Sequence, residues 1–593
     1  MESEKMEALL RLSLSSTPSQ RQRSVLLNAG VSPDGQSREL IVKYSGSLDR
    51  LRALGIRAQE LLAGYAVLHV PLALLSELTA APEVEYIEMP KLLGSGLYEA
   101  KQVSCLLPLT GSALPAADRA ADQAAGLSAG LSAGLSGKNT LIAVLDSGID
   151  YWLPDFRYPD GSSRIAFLWD QTLDREFSRE QLNRALAAGS REAAYVLVPS
   201  ADRSGHGTAV AAIAAGSNPD PRLRGVAPDA DLLIVRLSQE QNGYPHTTQL
   251  MQAAAWALEK ARQLRMPLSV NISFGNSYGP HDGSSLLSRF LDNAAESGRN
   301  VICVGSGNEG ASGGHASGRL IQGQEQTVEL TVGEYERTMS IQLWKNFADS
   351  FGVVLQTPSG RTAAVSYDFT GRLDIPAGQT ELLLYAGQPS PYSVWQEIFF
   401  DLLPRSSYIE PGIWRLFLRP VRIVSGAYRL YLPAAQSRSA DTRFVRPDPS
   451  LTLTVPSTAR KVLTVGAYHP YYRSYADFSG RGSALENDGI FADAKPDLVA
   501  PGVELLVPAA GGGQRRVTGT SFAVPLVAGA AALLMEWGIV KGKDPYLYGE
   551  KMKAYLRRSA KPLRGENASP NEKTGYGALC AAGALPATGT ARA

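Results

Sequence analysis

Three short segments carry side chains suited to nucleophilic chemistry. Ala143-Val-Leu-Asp-Ser-Gly-Ile-Asp150 places Asp146 directly after an apolar run. Ser204-Gly-His-Gly-Thr208 places His206 between two glycines, ahead of the small-sided stretch Ala209 to Ala215. Gly519-Thr-Ser-Phe-Ala-Val-Pro525 places Ser521 at the opening of the apolar stretch that begins at Leu526. Each also reads as ordinary structure: a strand-ending Asp-Ser-Gly turn, a helix cap with an incidental histidine, an N-cap serine. Together they mean more. A serine hydroxyl needs a base to take its proton, and the base needs a carboxylate to fix its tautomer. A helix N-terminus disfavours imidazolium, so His206 is expected neutral and ready. The Ser521 N–H at a helix start would face a developing oxyanion.

The chain order Asp, His, Ser is the order of subtilisin, and the motifs resemble those of the subtilisin-like serine proteases, the subtilases. Asp146, His206 and Ser521 fall on that family's catalytic positions. A fourth segment, Gly305-Ser-Gly-Asn-Glu-Gly310, matches the oxyanion motif, which assigns Asn308 as the side-chain donor beside the Ser521 N–H. Losing such a donor costs about 100- to 1000-fold in turnover, a figure that comes from subtilisin itself. By the same resemblance Ser273, Phe274 and Gly275 pair with the substrate backbone and form one wall of the S1 pocket. Val304, Gly305, Ser306 and Gly307 form the other. An extended peptide would add between them as a strand. The resemblance implies no required cofactor. Gly216 to Gly225, where many subtilases carry a calcium loop, holds two prolines and two arginines and makes a poor oxygen cage. Asp155, Asp160 and Asp170 could build another calcium site, though surface acids are the plainer reading.

The elements that must position these residues follow from periodicity. Leu141 to Leu145, Leu232 to Val235, Leu268 to Phe274, Asn300 to Val304 and Lys461 to Gly466 read as strands. Thr247 to Leu264, Leu286 to Ser297, Ser521 to Trp537 and Tyr548 to Ser559 read as helices. This alternation specifies an α/β fold with a doubly wound, mostly parallel sheet, which the resemblance implies is a subtilisin-like catalytic domain over 138–318 and 447–593. Between its parts, 319–446 reads as strand after strand and is expected to form an inserted all-β sandwich or jelly roll. Residues 1–96 carry a β-α-β-β-α-β pattern, a ferredoxin-like α+β domain resembling the subtilase propeptide. Residues 97–137 read as a linker and mature N-terminal segment; its repeat Gly126-Leu-Ser-Ala, Gly130-Leu-Ser-Ala, Gly134-Leu-Ser suggests a flexible connector, with a frayed helix as the alternative.

Propeptide, subtilase core and β insert together resemble the Csp germination proteases of spore-forming Firmicutes. That plan implies self-processing between about Gly94 and Lys101, with the propeptide bound in the active-site cleft. It also implies activation of a spore-cortex hydrolase precursor during germination. Some members of that family are pseudoproteases, so two alternatives stand: a catalytically silent regulatory protein, or a propeptide-inhibited binding or signalling protein.

The 593 residues carry 58 Lys+Arg against 57 Asp+Glu, a net charge of +1, with 44% apolar and 19% charged residues. The length suggests three to five domains, and global disorder is excluded. Near-neutrality provides no footprint for nucleic acid. The expected partner is a protein or peptide substrate. No run approaches the roughly 18 apolar residues of a membrane span. No signal peptide is read at the N-terminus, which implies cytoplasmic synthesis, with association to the spore or release by another route. Cys105, Cys303 and Cys580 are far apart and are read as unpaired. His69, His246, His281 and His469 show no metal spacing, and His315 is a weak candidate for the pocket rim. Tyr471 and Tyr472 are read as β-core or interface residues.

Overall fold

The computed structural model describes residues 5–17, 31–32, 35–89, 97–110, 134–238, 245–483, 494–566 and 568–586. The chain divides into two compact units, Met1–Gly94 and Ser95–Ala593.

In the first unit Ser37–Tyr44 alternates buried and exposed side chains, as a strand covered on one face must. The antiparallel sheet runs Arg57–Glu60, Tyr65–Pro71, Ser37–Tyr44, Val84–Glu88. Leu40, Val42, Leu68, Val70 and Ile87 bury one face against Leu51 and Leu78 of two short helices, Asp49–Ala53 and Leu75–Ala80. The β-α-β-β-α-β order is therefore present. An N-terminal helix, Ala8–Ser15, adds Leu10 to this core.

The second unit is organised on a nine-stranded sheet. Its order is Ser474–Tyr475, Leu463–His469, Asn300–Gly305, Leu268–Ile272, Leu141–Asp146, Asp231–Arg236, Ile165–Asp170, Arg175–Ser178, with Leu498–Pro501 also paired to Leu463–His469. The inner pairs are parallel and the two outermost are antiparallel. Leu141–Asp146 is central, and all six of its residues are buried. Ile142 and Val144 face one hydrophobic core, while Leu141, Ala143 and Leu145 face another. Two covered faces explain why the strand is a continuous apolar run rather than an alternating one. Helices His206–Ala215 and Thr520–Met535 pack on the first face. Helices Thr247–Leu264 and Leu286–Ala295 pack on the second.

The His206 and Ser521 helices approach closely because they are small-sided. A Cβ on Gly529 would lie 2.8 Å from the Ala214 carbonyl oxygen and 2.6 Å from Val226 Cβ. The Ser521 helix continues to Val540, and among the described residues it alone is long and apolar enough to cross a bilayer by length and composition. Here it is a core helix, with 83% of its apolar window buried. Between Asp150 and Ser204, where the sequence reading named no elements, lie two strands and helices Arg179–Leu186 and Arg191–Leu197.

The insert begins at His315 and forms two sheets. One runs His315–Arg319, Ala427–Tyr431, Met339–Asn346, Trp395–Pro404, Thr380–Ala386, Gly371–Ala377. The other runs Thr362–Val365, Ser350–Gln356, Gly412–Arg422, Gln326–Val332, Arg443–Phe444. Trp414, Phe351, Phe400, Leu343 and Leu416 form part of a single core between them, the sandwich that the alternating strands imply.

Several expectations are corrected. Cys105 and Cys580 are joined in a disulfide although 475 residues apart, and only Cys303 is free. Sequence distance misled because the two ends of this unit meet: Ala581 and Ala582 N–H groups donate to the Ser104 and Cys105 carbonyls. Residues 97–110, expected as linker, form helices Leu97–Val103 and Leu107–Thr110, with Leu97, Leu106 and Leu109 buried. Most of the Gly-Leu-Ser repeat lies outside the described residues. His315 lines a cavity of about 1290 Å³ that Glu309 and Gly310 also border. It is 2% exposed, its ring 4.5 Å from that of Tyr431, which stacks on His281 at 3.8 Å.

Candidate active site

Asp146 ends the central strand, where ligands of open α/β sheets collect. His206 is the first residue of its helix, and Gly205 before it adopts φ 70°. A Cβ on Gly207 would stand 2.2 Å from the Gly148 carbonyl oxygen and 3.1 Å from Asp146 Cβ. Only glycine lets the helix start come this close to the strand end. The result is a 2.7 Å contact between His206 Nδ1 and Asp146 Oδ1, an oxygen that also accepts from the Ser147 N–H at 2.7 Å.

The His206 helix is capped by Asp202, which the sequence reading passed over. Its Oδ1 accepts from Gly205 N–H, and its Oδ2 from Thr208 N–H and Oγ1, all within 2.8 Å. Burial works against a charged imidazole, but Asp146, with help from Asp202, outweighs it and holds His206 above the ordinary 6.5. The helix N-terminus is expected to disfavour the imidazolium, and the carboxylates of Asp146 and Asp202 act in the opposite direction.

Ser521 is the second residue of its helix, after Gly519 at φ 148°. Its Oγ donates to the Ser273 carbonyl at 3.1 Å rather than to the imidazole, and Ser273 Oγ donates back to the Ser521 carbonyl at 3.0 Å. Phe522 and Phe274 flank the His206 ring at 5.1 and 5.8 Å. Asn308 Oδ1 accepts from Thr520 N–H at 3.0 Å and Thr520 Oγ1 at 3.1 Å. This fixes the amide so that Nδ2 comes within 3.4 Å of where a Gly519 Cβ would sit, at the start of the Ser521 helix. Thr520, also unremarked in the sequence, thus orients Asn308.

The expected walls divide by role. Phe274 and Gly275 line an apolar cavity of about 590 Å³ with Leu237, Leu250, Leu287 and Val455. Its margin includes His246, read from sequence as an ordinary residue. Val304 belongs to the hydrophobic core, Gly305 faces the Ser521 helix, and Ser306 is buried against Ser479. Gly307, at φ 92°, faces Thr454, as does Gly275.

The loop expected to be a poor calcium site is filled from within. Lys101 Nζ donates to the Pro221 and Arg224 carbonyls at 3.0 and 2.7 Å. Burial, with Arg224 nearby, lowers this lysine to about 8. Asp155, Asp160 and Asp170 each bond separate partners: Asn218, Ser162 and Arg236. Among the described residues no three His, Cys, Asp or Glu side chains gather as a metal site.

Comparison with known proteins shows the family. The model of the Subtilase family matches residues 137–393 and 442–577, more than half of the chain, and the chain belongs to that family. The model described as the Csp protease B prodomain matches residues 4–91. Among solved structures, the CspB protease of Clostridium perfringens superimposes with a TM-score of 0.72 at 30% identity, over 82% of this chain and 96% of that one. Subtilisin E of Bacillus subtilis is 31% identical over 178 residues, 30% of this chain and 36% of that protein. The major intracellular serine protease of the same species is 29% identical over 196 residues, 33% of this chain and 47% of its own length. The matched segments thus span about a third to a half of these curated relatives.

Proposed function

We propose that the chain is a serine endopeptidase that processes itself. The observation that carries this is the 2.7 Å pairing of His206 with Asp146 beside the Ser521 helix start. In the reaction Ser521 Oγ leaves the Ser273 carbonyl, gives its proton to His206 Nε2 and bonds to the scissile carbonyl carbon. The oxyanion is held by Asn308 Nδ2 and the Ser521 N–H. His206 returns the proton to the leaving amine as the C–N bond breaks. Water, deprotonated by His206, then opens the acyl-enzyme. Asp146 holds the imidazole orientation and stabilises its cation throughout. Substrate pairs in extended form along Ser273 to Gly275, and the cavity beside Phe274 takes an apolar side chain upstream of the cut.

The prodomain is read as inhibitor and first substrate, cut between Gly94 and Lys101. No cofactor is required, since Lys101 supplies the positive charge that a calcium loop would draw from solution. The Csp likeness supports a role in germination, with a cortex-hydrolase precursor as substrate. The Cys105–Cys580 pair supports an oxidising compartment after synthesis. A fluorophosphonate probe, followed by intact mass, tests the reading. Labelling at Ser521 and loss of the first unit's mass are expected, and Ser521→Ala should show neither. A folded wild-type chain that neither labels nor cleaves would instead be the silent regulator.

A further inference from the structure

We propose that Thr454 closes the primary specificity pocket to all but small side chains, and that Gly94-Ser95-Gly96 is the matching segment in the chain's own sequence. This rests on the protease reading above. Thr454 is tied to one wall of the cleft by its N–H, which donates to the Ser306 carbonyl at 3.1 Å. The next residue, Val455, is tied to the other wall by paired hydrogen bonds with Asn276, at 2.8 and 2.9 Å. The floor therefore spans both walls and is fixed by backbone.

From this floor the Thr454 side chain rises between two glycines. A Cβ on Gly275 would lie 2.5 Å from Thr454 Oγ1 and 3.0 Å from its Cβ. A Cβ on Gly307 would lie 2.4 Å from Thr454 Cγ2 and 2.7 Å from Oγ1. The hydroxyl and the methyl thus fill the gap between Gly275 and Gly307. Thr454 is 5% exposed. Its β-branch restricts χ1, so it does not swing aside as an unbranched side chain would. The residue whose carbonyl Ser521 attacks must put its side chain into this gap. Glycine, alanine and serine fit; leucine and phenylalanine meet Thr454. The sequence from Met89 reads Met-Pro-Lys-Leu-Leu-Gly-Ser-Gly-Leu, so three consecutive small residues occupy the stretch where the first unit ends.

Peptide-library cleavage by the full chain tests this alongside fluorophosphonate labelling. Wild type should cut after glycine, alanine or serine about 100-fold faster in kcat/KM than after phenylalanine. Thr454→Gly should shrink that ratio below about 10-fold. A substrate-side variant guards against misfolding: Gly94→Phe, Ser95→Phe and Gly96→Phe together should abolish self-cleavage at these bonds, and adding Thr454→Gly should restore it. If Ser521 labels but wild type cuts after phenylalanine as readily as after alanine, the pocket assignment falls while the protease reading stands. The same holds if the triple-Phe chain is still cut at these bonds. If Ser521 does not label and no peptide is cut, the protease reading falls and takes this assignment with it.

Discussion

At the candidate active site, residues from five segments meet through one or two polar contacts each: His206 on Asp146, Ser521 on Ser273, Asn308 on Thr520. In the inserted sandwich, Trp414, Phe400, Leu416 and their neighbours share one apolar core. The first region depends on individual atoms at element ends. The second depends on alternation summed over many positions, each large apolar side chain adding about 1.5–3 kcal/mol. A substitution in the first region should therefore remove activity and leave the fold. One in the second should remove stability and leave the chemistry of surviving molecules.

The largest expected effect is Asp146→Asn, which should lower kcat by about 10⁴-fold with the thermal midpoint nearly unchanged. A comparable loss of stability would break the contrast. Asn308→Ala should cost about 100- to 1000-fold in kcat, with little change in KM. For wild type, kcat/KM should rise with pH through a midpoint above 6.5, because the base must be neutral and its carboxylate neighbours favour the cation. Asp202→Asn removes one of those carboxylates, so the midpoint should move down; an unmoved midpoint would show that Asp202 only caps. In the sandwich, Trp414→Ala empties a fully buried site and loses the indole's hydrogen bond to the Glu410 carbonyl. A cost of about 3–5 kcal/mol in denaturant unfolding is expected, with fluorophosphonate labelling retained by the folded fraction. The smallest effect sharpens the cofactor reading. Lys101→Ala should cost about 1–3 kcal/mol, and EDTA should leave the wild-type melting temperature in place.

The same contrast explains what was legible in the sequence. Asp146, His206, Ser521 and Asn308 each sit in a short local motif; Asp146 ends a strand, His206 and Ser521 lie at helix starts, and Asn308 lies in the loop after Asn300–Gly305. Leu141 to Leu145 announced a strand covered on both faces, and the insert announced itself by period. Asp202, Thr520, Lys101 and Thr454 were not legible, because each acts through a partner fixed only by folding. Lys101 finds carbonyls about 120 residues away. Thr454 is an unremarkable strand-type residue until Gly275 and Gly307 close on it. The cysteine pair failed for the same reason: a bond across 475 residues leaves no local trace.

The Asn308–Thr520 contact joins residues 212 positions apart, and the whole insert lies between them. Asn308 can therefore gain this partner only once the whole insert has been synthesised. Ser521, too, leaves the ribosome only after the insert has done so. Under the proposed mechanism, a chain broken or stalled within the insert holds Asp146 and His206 but not Ser521, and hydrolysis would report that synthesis has passed the insert.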